Sequence, residues 1–359
     1  MLLPLITLIV ISIFSLSTIY STVPSLFLTQ LIFILVGIII IISVARLNLR
    51  QLTPAVWLVY AGTLASLLLT IIVGEHTRGS VRWIDLGIFK LQTSELAKPL
   101  LVFCYAHLFQ TPPHSNGTIH QLLWLLKLGV VGAIPILLVF IQPDLGSSLV
   151  LAWIWFSILI TSGITKKQLL VLGLSIVTLV AVVPLVLKPY QLDRLTSFTN
   201  PFRDPSRQGY NVIQSMIAVG SGMWLGKGIR QGTQSHLKFL PERHTDFAFA
   251  SFAEEFGFVG ISVLLLSFVL LLLWLIKLAE SHSGFNRLLV YGVFQVILFQ
   301  FIVNVGMNIG LMPVTGITLP LFSYGGSSLL SLSILLGMAF STLPQLHRNR
   351  RLVNSSDSG

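Results

Sequence analysis

Charged residues are scarce in this chain of 359 residues: Asp, Glu, Lys and Arg make up only 9% of it, whereas 54% is hydrophobic. Soluble domains carry roughly 25% charged residues, so this chain cannot cover a water-exposed surface. A lipid bilayer solvates apolar side chains, and few charges are expected of a protein that lies in one. The composition therefore excludes a soluble globular protein.

Cysteine is nearly absent as well. The single Cys104 lies in an apolar segment, which excludes an intrachain disulfide and a metal centre built on thiolates. The eight histidines form no zincin signature. The net charge of +10 is scattered between apolar runs instead of lying on one stripe, which argues against a nucleic-acid partner. We therefore predict no metal site and no nucleic-acid binding.

Long apolar runs are what the sequence has instead. A helix must carry about 18 or more apolar residues to cross roughly 30 Å of hydrocarbon. Such runs predict an all-α integral membrane protein of about ten transmembrane helices. The polytopic domain should cover residues 1–348, followed by a short disordered tail at 349–359. The predicted spans are 3–20, 25–45, 53–73, 96–110, 121–141, 145–162, 168–187, 257–277, 287–309 and 327–344.

Basic residues predict the orientation, because Lys and Arg in short loops favour the cytoplasmic side. Ten of them, from Arg46 to Arg351, lie on the side of both termini, and four, from Arg78 to Lys98, lie on the other. Both termini should therefore be cytoplasmic and the long loop 188–257 external. That loop holds eight basic and six acidic residues, and we expect it to contain short helices at the interface and to carry the chemistry.

The segment Leu240-Pro-Glu-Arg-His-Thr-Asp-Phe247 is the most informative part of that loop. Asp246 precedes an apolar helix predicted at 247–256, where a carboxylate caps a helix favourably. The alternative is a carboxylate base at the membrane surface, tuned by Arg243 and His244. Spacing alone leaves both interpretations open.

A second polar motif, Gln92-Thr-Ser-Glu-Leu-Ala-Lys98, opens the fourth predicted span. Its Ser94 is the expected N-cap, and Glu95 and Lys98 share one helix face. A charge in lipid costs about 2.5–3.5 kcal/mol by insertion scales, so such residues usually face a bundle interior. The pair is either an anchor at the interface or part of a substrate cavity.

At two other places the sequence again allows either a structural role or a role in the site. Asp144, in Gln142-Pro-Asp-Leu-Gly-Ser-Ser148, is either the N-cap of the sixth span or a site residue. Arg82 and Trp83 precede the fourth span, where an aromatic beside a basic residue is ordinary anchoring at the membrane surface.

These motifs resemble the SEDS family of bacterial peptidoglycan glycosyltransferases. The segment Leu240–Phe247, followed by Ala253-Glu-Glu-Phe-Gly257, is similar to the family signature. The Glu-Arg-His sequence resembles the RodA branch, since the division paralogue FtsW usually has Ala where this chain has Arg243. The resemblance extends over nearly the whole chain, and it also includes Arg194–Asn211, Gly232–Ser235, Asn304–Gly310 and Pro313–Ser328, with the two motifs around Glu95 and Asp144.

The resemblance implies an enzyme of the bacterial cytoplasmic membrane. It would polymerise lipid II into glycan strands at the outer face, for cell elongation and rod shape, and release polyprenyl diphosphate. It implies that Asp246 is the catalytic residue. The matching motifs favour Glu95, Lys98 and Asp144 as substrate-binding residues, with Arg243 and His244 beside Asp246. The basic outer loop also offers cations for the leaving diphosphate, among them Arg203, Arg207, Lys227 and Arg243. Arg82 and Trp83 are further candidates for substrate binding.

The resemblance also implies partners: lipid II, a class B penicillin-binding protein of the PBP2 type, and membrane proteins of the elongation machinery. A divalent cation, Mg²⁺ or Mn²⁺, is compatible with a diphosphate leaving group, although no motif specifies one. Two other functions remain open from the residues alone. The first is a lipid II flippase that uses Glu95, Lys98 and Asp144 as a relay, and the second is a scaffold for the penicillin-binding protein. An indispensable carboxylate in the outer loop favours the enzyme, and one in mid-span favours the transporter.

Overall fold

The computed structural model describes residues 2–77, 80–85, 87, 90–110, 118–163, 168, 170 and 208–343. The predicted tail 349–359, most of the predicted span 168–187, and the site candidates Arg203 and Arg207 lie outside the described residues. The helices are α1 (Leu2–Thr22), α2 (Phe27–Ala45), α3 (Val56–Val73), α4 (Thr93–Leu108), α5 (Thr118–Ile141), α6 (Leu145–Thr161), α7 (Gln208–Ser221), α8 (Thr233–His236), α9 (Ala248–Glu280), α10 (Gly284–Asn308) and α11 (Gly326–Ser341).

The predicted membrane spans are confirmed as helices wherever the structure describes them. Nine of the ten predicted spans correspond to helices, and every end but one agrees within three residues. In the described part, six helices are long and apolar enough to cross a bilayer, and α6 and α11 are shorter apolar helices. Large apolar side chains such as Leu58 and Ile72 on α3 are 76% and 80% exposed, as lipid-facing residues are. The chain is a multi-pass membrane protein.

A small antiparallel sheet, which the all-α prediction did not include, lies between α3 and α4. Its strands are β1 (Glu75–Thr77), β2 (Ser80–Asp85) and β3 (Lys90–Gln92), in the order β1-β2-β3. Strands of three, six and three residues are too short for an alternating pattern to stand out in a sequence. Because β3 runs directly into α4, and Trp83 pairs with Gln92, the sheet fixes the entry to that helix.

The described chain forms two compact units. The first comprises Met1–Ile32, Thr165–Leu271 and Leu298–Gly325, and the second comprises Phe33–Ile164, Leu272–Ile297 and Gly326–Gly359. The first unit has an apolar core formed by α7, the start of α9 and the end of α10. Its buried members are Val212, Ala218, Leu240, Phe247, Ala250, Met307 and Val314.

Helix α9 joins two elements that the sequence predicted separately, the apolar helix 247–256 and the span 257–277. The helix is broken at Gly257, which has φ 61° and ψ −164°. A Cβ atom at this position would lie 2.2 Å from the Gly226 nitrogen, so the chain needs glycine there for both conformation and space.

The segment Gly222–Gly228 bonds the backbone groups that this break exposes. The carbonyls of Glu254 and Glu255 accept from the nitrogens of Lys227 and Gly228, each at 3.0 Å. After the break, Phe258 and Val259 donate to carbonyls of the same segment at 2.8 and 3.0 Å. A broken membrane helix persists only where such groups find partners, so this segment stabilises the break.

Candidate active site

The turn between Leu240 and Phe247 lies in the first unit and is anchored at both ends. Leu240 and Phe247 are buried in the apolar core. Between them Glu242 adopts the left-handed conformation, with φ 48°. Its carbonyl accepts from the nitrogens of Thr245 at 3.1 Å and Phe247 at 3.2 Å. The half-buried residues Glu242 to Asp246 are therefore wound around one carbonyl immediately before α9.

The loop that precedes α11 holds the middle of this turn. The Tyr324 nitrogen donates to the His244 carbonyl at 2.8 Å. The Ser323 hydroxyl donates to the Thr245 carbonyl at 2.7 Å and accepts from the Leu319 nitrogen at 3.0 Å. Two successive carbonyls of the turn are thus fixed by one loop.

Helix α10 holds the carbonyl of Asp246 itself. Asn304 and Asn308 both donate to it from their side-chain amides, at 3.0 and 3.1 Å. Gly316, with φ 76°, lies in front of the carboxylate, since a Cβ atom on it would be 3.7 Å from Asp246 Oδ2. Fixed geometry of this kind is what a catalytic carboxylate requires.

The two neighbours that were predicted to tune Asp246 differ in charge. Burial lowers the pKa of His244, Glu242 opposes this shift, and the Arg243 guanidinium adds to it. His244 is therefore a neutral imidazole at neutral pH. It is suited to hydrogen bonding with a substrate, and not to neutralising a phosphate. Arg243 provides the permanent cation of the turn; its Nε and Nη2 both lie 3.4 Å from the Thr22 carbonyl oxygen.

Lys227 forms an ion pair with a second carboxylate of the first unit, that of Glu254. Its Nζ is 2.8 Å from Oε1 of Glu254, whose side chain is fully buried, and it also donates to the Thr233 hydroxyl at 2.9 Å. Glu254 accepts four more hydrogen bonds, which come from the Thr233 hydroxyl, the Gln234 nitrogen, and the nitrogen and hydroxyl of Ser235. This carboxylate therefore organises the start of α8.

A second group of predicted residues surrounds Asp144 in the second unit. Asp144 is the N-cap of α6, since its Oδ1 accepts from the Ser147 nitrogen at 3.1 Å. The capping interpretation of Asp144 is therefore confirmed. The guanidinium of Arg82, carried on β2, lies 3.7 Å from Oδ1 and donates to the Pro143 carbonyl at 2.5 Å. Arg82 and Asp144 thus form one ion pair.

The other carboxylate oxygen of Asp144 joins β3 and α4 to this pair. Gln92 Nε2 donates to Oδ2 at 2.9 Å and the Ser94 hydroxyl at 3.2 Å. The predicted N-cap role of Ser94 is wrong: α4 begins at Thr93, and its N-cap Gln92 makes no side-chain capping bond. Ser94 therefore lies inside the first turn of α4, and its hydroxyl donates to the Asp144 carboxylate, whose charge strengthens the hydrogen bond.

Glu95 and Lys98 form the predicted ion pair on one face of α4. Lys98 Nζ lies 2.6 Å from Glu95 Oε1, and both side chains are buried. The second oxygen, Oε2, has no hydrogen-bond partner among the described residues. The pair is therefore buried within the protein, with one carboxylate oxygen that has no partner among the described residues.

The family comparison agrees with this set of motifs. The sequence model of the family described as cell cycle protein, which takes in FtsW, RodA and SpoVE, matches residues 1–348. This chain belongs to the FtsW/RodA/SpoVE family.

Curated relatives in this family are similar over most of their length. The peptidoglycan glycosyltransferase MrdB of Escherichia coli K12 is 37% identical over 335 residues, which are 90% of this chain and 86% of that protein. The peptidoglycan glycosyltransferase RodA of Treponema pallidum is 31% identical, over 88% of this chain and 89% of that protein.

Solved structures of the family share the fold. A structure described as "Structural coordination of polymerization and crosslinking by a peptidoglycan synthase complex" contains a chain 32% identical to this one, with a TM-score of 0.79. The alignment covers 96% of this chain and 97% of that one. The rod shape determining protein RodA of Thermus thermophilus is 28% identical, with a TM-score of 0.70, and the alignment covers 94% and 95% of the two chains.

The structure arranges the predicted site residues of this FtsW/RodA/SpoVE member in two sets. The first unit holds Asp246, Arg243 and His244 in one turn, with Lys227 on Glu254. The second unit holds Glu95 with Lys98, and Arg82 with Asp144, while Trp83 pairs with Gln92 through β2 and β3. Among the residues that the structure describes, no group of three or more His, Cys, Asp or Glu side chains could hold a metal ion.

Sequence reasoning missed the side chains that hold these residues. Gln92, Asn304, Asn308 and Ser323 were within quoted motifs but were assigned no role. The two asparagines had a visible signal, because two amides four residues apart in a mostly apolar span share one helix face.

Proposed function

We propose that Asp246 is the carboxylate base with which this peptidoglycan glycosyltransferase, a RodA-type enzyme of cell elongation, joins lipid II units into glycan strands. The main support is the way the structure holds Asp246. Hydrogen bonds to three successive carbonyls, those of His244, Thr245 and Asp246, come from two other elements of the first unit. A base must be held within hydrogen-bond reach of the proton that it removes, and a turn fixed by its main chain meets that requirement.

The reaction follows from the chemistry of the substrate. The 4-hydroxyl of the acceptor N-acetylglucosamine attacks the anomeric carbon of the donor sugar, and its proton passes to the Asp246 carboxylate. The new C–O bond forms as the bond from the anomeric carbon to the diphosphate oxygen breaks. Polyprenyl diphosphate then leaves with the electron pair. General base catalysis of this kind typically contributes about 10²–10⁴-fold to the rate.

The leaving diphosphate gains negative charge, and fixed cations stabilise it. Arg243 is the described cation best suited to this role, since it lies three residues from Asp246 in the same turn and stays charged at any physiological pH. Lys227 is less suited, because its ammonium group already pairs with buried Glu254 at 2.8 Å. Arg203 and Arg207, outside the described residues, remain candidates from the family resemblance, and a divalent cation would add to the same charge stabilisation.

The buried polar cluster of the second unit suits recognition of the substrate. Glu95, Lys98, Arg82 and Asp144 are charged side chains that an apolar span would not retain without partners. We assign them to lipid II binding, with Trp83 beside them. The same residues are those that a lipid II flippase would use, and the test below separates these possibilities.

The enzyme should work at the outer face with both termini in the cytoplasm, as the charge bias between loops supports. We further propose that its partner is a class B penicillin-binding protein of the PBP2 type, assembled with other membrane proteins of the elongation machinery. The similar chain in a peptidoglycan synthase complex that combines polymerisation with crosslinking supports this assignment.

The variant Asp246→Asn tests the proposed function. Asparagine preserves the size of the side chain, and the main-chain bonds that hold the turn do not depend on it. Purified protein with its transpeptidase, given lipid II, should lose glycan polymerisation by at least about a hundredfold on a glycan gel. Melting temperature and partner binding should be retained. The control Glu280→Gln removes an exposed carboxylate at the end of α9 and should leave the rate unchanged.

Other outcomes would identify the other functions. A flippase would lose lipid II translocation in Asp246→Asn, and a scaffold would lose recruitment of the penicillin-binding protein. If Asp246→Asn polymerises lipid II at the rate of the unmodified protein, the proposed base is wrong.

A further inference from the structure

Two buried amides on α10 have no role in the reaction described above. Asn304 and Asn308 are fully buried and lie one helical turn apart on a mostly apolar helix. A buried amide is costly unless its polar atoms are bonded. Their partners therefore indicate what these side chains do.

All four amide hydrogens of the pair are used, and two of them go to one atom. Asn304 Nδ2 donates to the carbonyls of Asp246 at 3.0 Å and Ile317 at 2.8 Å. Asn308 Nδ2 donates to the carbonyl of Asp246 at 3.1 Å and to that of Asn304 at 2.8 Å. A carbonyl oxygen has two lone pairs. Both lone pairs of the Asp246 main-chain carbonyl therefore accept from side chains of α10.

Asn308 extends the same network to two further helices. Its Oδ1 accepts from the Ala250 nitrogen in the first turn of α9 at 3.2 Å, and its main-chain carbonyl accepts from the Ser215 hydroxyl on α7 at 2.8 Å. The turn, the start of α9 and α7 are therefore all tied to one residue.

Asn304 joins the turn to the loop that lies in front of the Asp246 carboxylate. It donates to the turn at the Asp246 carbonyl and to the loop at the Ile317 carbonyl. The neighbour of Ile317 in this loop is Gly316, whose Cβ position lies 3.7 Å from Asp246 Oδ2. A single amide thus sets the distance between the carboxylate and the loop in front of it, where an acceptor hydroxyl would have to approach.

We infer that Asn304 and Asn308 are positioning residues for glycan polymerisation, which act by fixing the main chain of Asp246 against α10 and the Ile317 loop. This inference rests on the proposed role of Asp246. Neither amide touches the reacting atoms. Their effect should therefore be on turnover and should disappear when the carboxylate is absent.

The test compares Asn304→Ala and Asn308→Ala with the matched control Gln300→Ala. Gln300 is a buried amide one turn earlier on α10. A misplacement of about 1 Å can cost about 10²-fold in rate, so each asparagine variant should lower kcat on lipid II by about tenfold or more. KM should change less than about twofold, because substrate binding is not removed. Gln300→Ala should keep its kcat.

A double-mutant cycle separates positioning from simple destabilisation. In the Asp246→Asn background, Asn304→Ala should cause no further loss of residual turnover per folded molecule, because residues that act as one unit are not additive. Melting temperatures are measured for every variant. If the alanine variants do not fold, Asn308→Leu provides the same comparison, since it keeps the volume and adds no charge but lacks the donor to Asp246.

The outcomes separate the two proposals. If Asp246→Asn is inactive but the folded asparagine variants turn over like Gln300→Ala, the positioning role is wrong and the proposed base stands. Additive losses in the double variant would also overturn the positioning role. If Asp246→Asn remains active, the base assignment fails, and the positioning inference fails with it.

Discussion

Glu254 and Asp246 are carboxylates of the same unit, and they should respond in opposite ways to neutralisation. Glu254 lies in α9 with no exposed surface and accepts five hydrogen bonds, one of them from the Lys227 ammonium at 2.8 Å. The substitution Glu254→Gln keeps the shape and removes the charge. We expect it to destabilise the protein, whereas Asp246→Asn should leave stability nearly unchanged and abolish turnover.

The size of the destabilisation by Glu254→Gln follows from the hydrogen-bond partners of Glu254. In the better of its two orientations, the side-chain amide introduced by this substitution places its nitrogen toward Ser235. The Ser235 hydroxyl can rotate to accept from it, but the buried Ser235 backbone N–H loses its acceptor. Leaving that N–H without a partner costs about 1–3 kcal/mol. The bonds from Lys227, Thr233 and Gln234 then go to a neutral oxygen, and each loses roughly 1 kcal/mol, the difference between charged and neutral acceptors. The sum is about 4–6 kcal/mol, which overlaps the range of about 3–5 kcal/mol for breaking a buried ion pair.

Thermal unfolding of the purified protein measures this effect. Glu254→Gln should melt several degrees lower than the unmodified protein, while the exposed control Glu280→Gln should change the free energy of unfolding by less than about 0.5 kcal/mol. Turnover per folded molecule should fall much less in Glu254→Gln than in Asp246→Asn. If Glu254→Gln melts normally and loses polymerisation by a hundredfold, the structural role of this carboxylate is refuted and Glu254 becomes the better candidate base.

Two further predictions concern the second unit and the orientation. Lys98→Met leaves Glu95 as an uncompensated buried charge and should destabilise the protein by about 3–5 kcal/mol. The double variant Glu95→Gln/Lys98→Met should recover the melting temperature but not polymerisation on the glycan gel, and recovery of both would reduce the pair to a structural role. For orientation, a cysteine at exposed Gln231 should react with an impermeant maleimide in intact spheroplasts, and one at exposed Ser283 should not; the native Cys104 is buried and adds little background. The reverse labelling pattern would invert the topology.

The helices were predictable because the hydrophobic pattern that defines a span is local. The break in α9 was predicted too, as the boundary between the helix 247–256 and the span that begins at 257. The pattern places a boundary at Gly257, where the helix does break, but the backbone groups on both sides of the break bond to the segment Gly222–Gly228. No local feature of the sequence shows that these two glycine-containing segments meet, so the boundary was predictable but the partners of its backbone groups were not.

Among the site residues, too, contacts with near neighbours in the sequence were predictable and contacts with distant segments were not. Asp144 was predicted as an N-cap from adjacent residues, and it caps α6 through Ser147, three positions away. Ser94 was predicted in the same way, but its hydroxyl donates to Asp144 on another helix. Ser94 is not the N-cap because β3 runs directly into α4 and the helix begins one residue earlier, at Thr93. The partners of Asn304 and Asn308 lie far away in the sequence, so local spacing could not predict them.

The ion pairs also rank the carboxylates that could replace Asp246 as the base. A base must take up a proton during the reaction, and a carboxylate already paired with a cation would leave that cation unpaired when it does so. Glu254 with Lys227 at 2.8 Å, and Glu95 with Lys98 at 2.6 Å, are both in that position. Glu242 has a weaker described partner, the Thr245 hydroxyl at 3.3 Å, and lies in the same turn as Asp246. If Asp246→Asn proves active, Glu242→Gln is the next variant to assay, because Glu242 is the other carboxylate of the same turn.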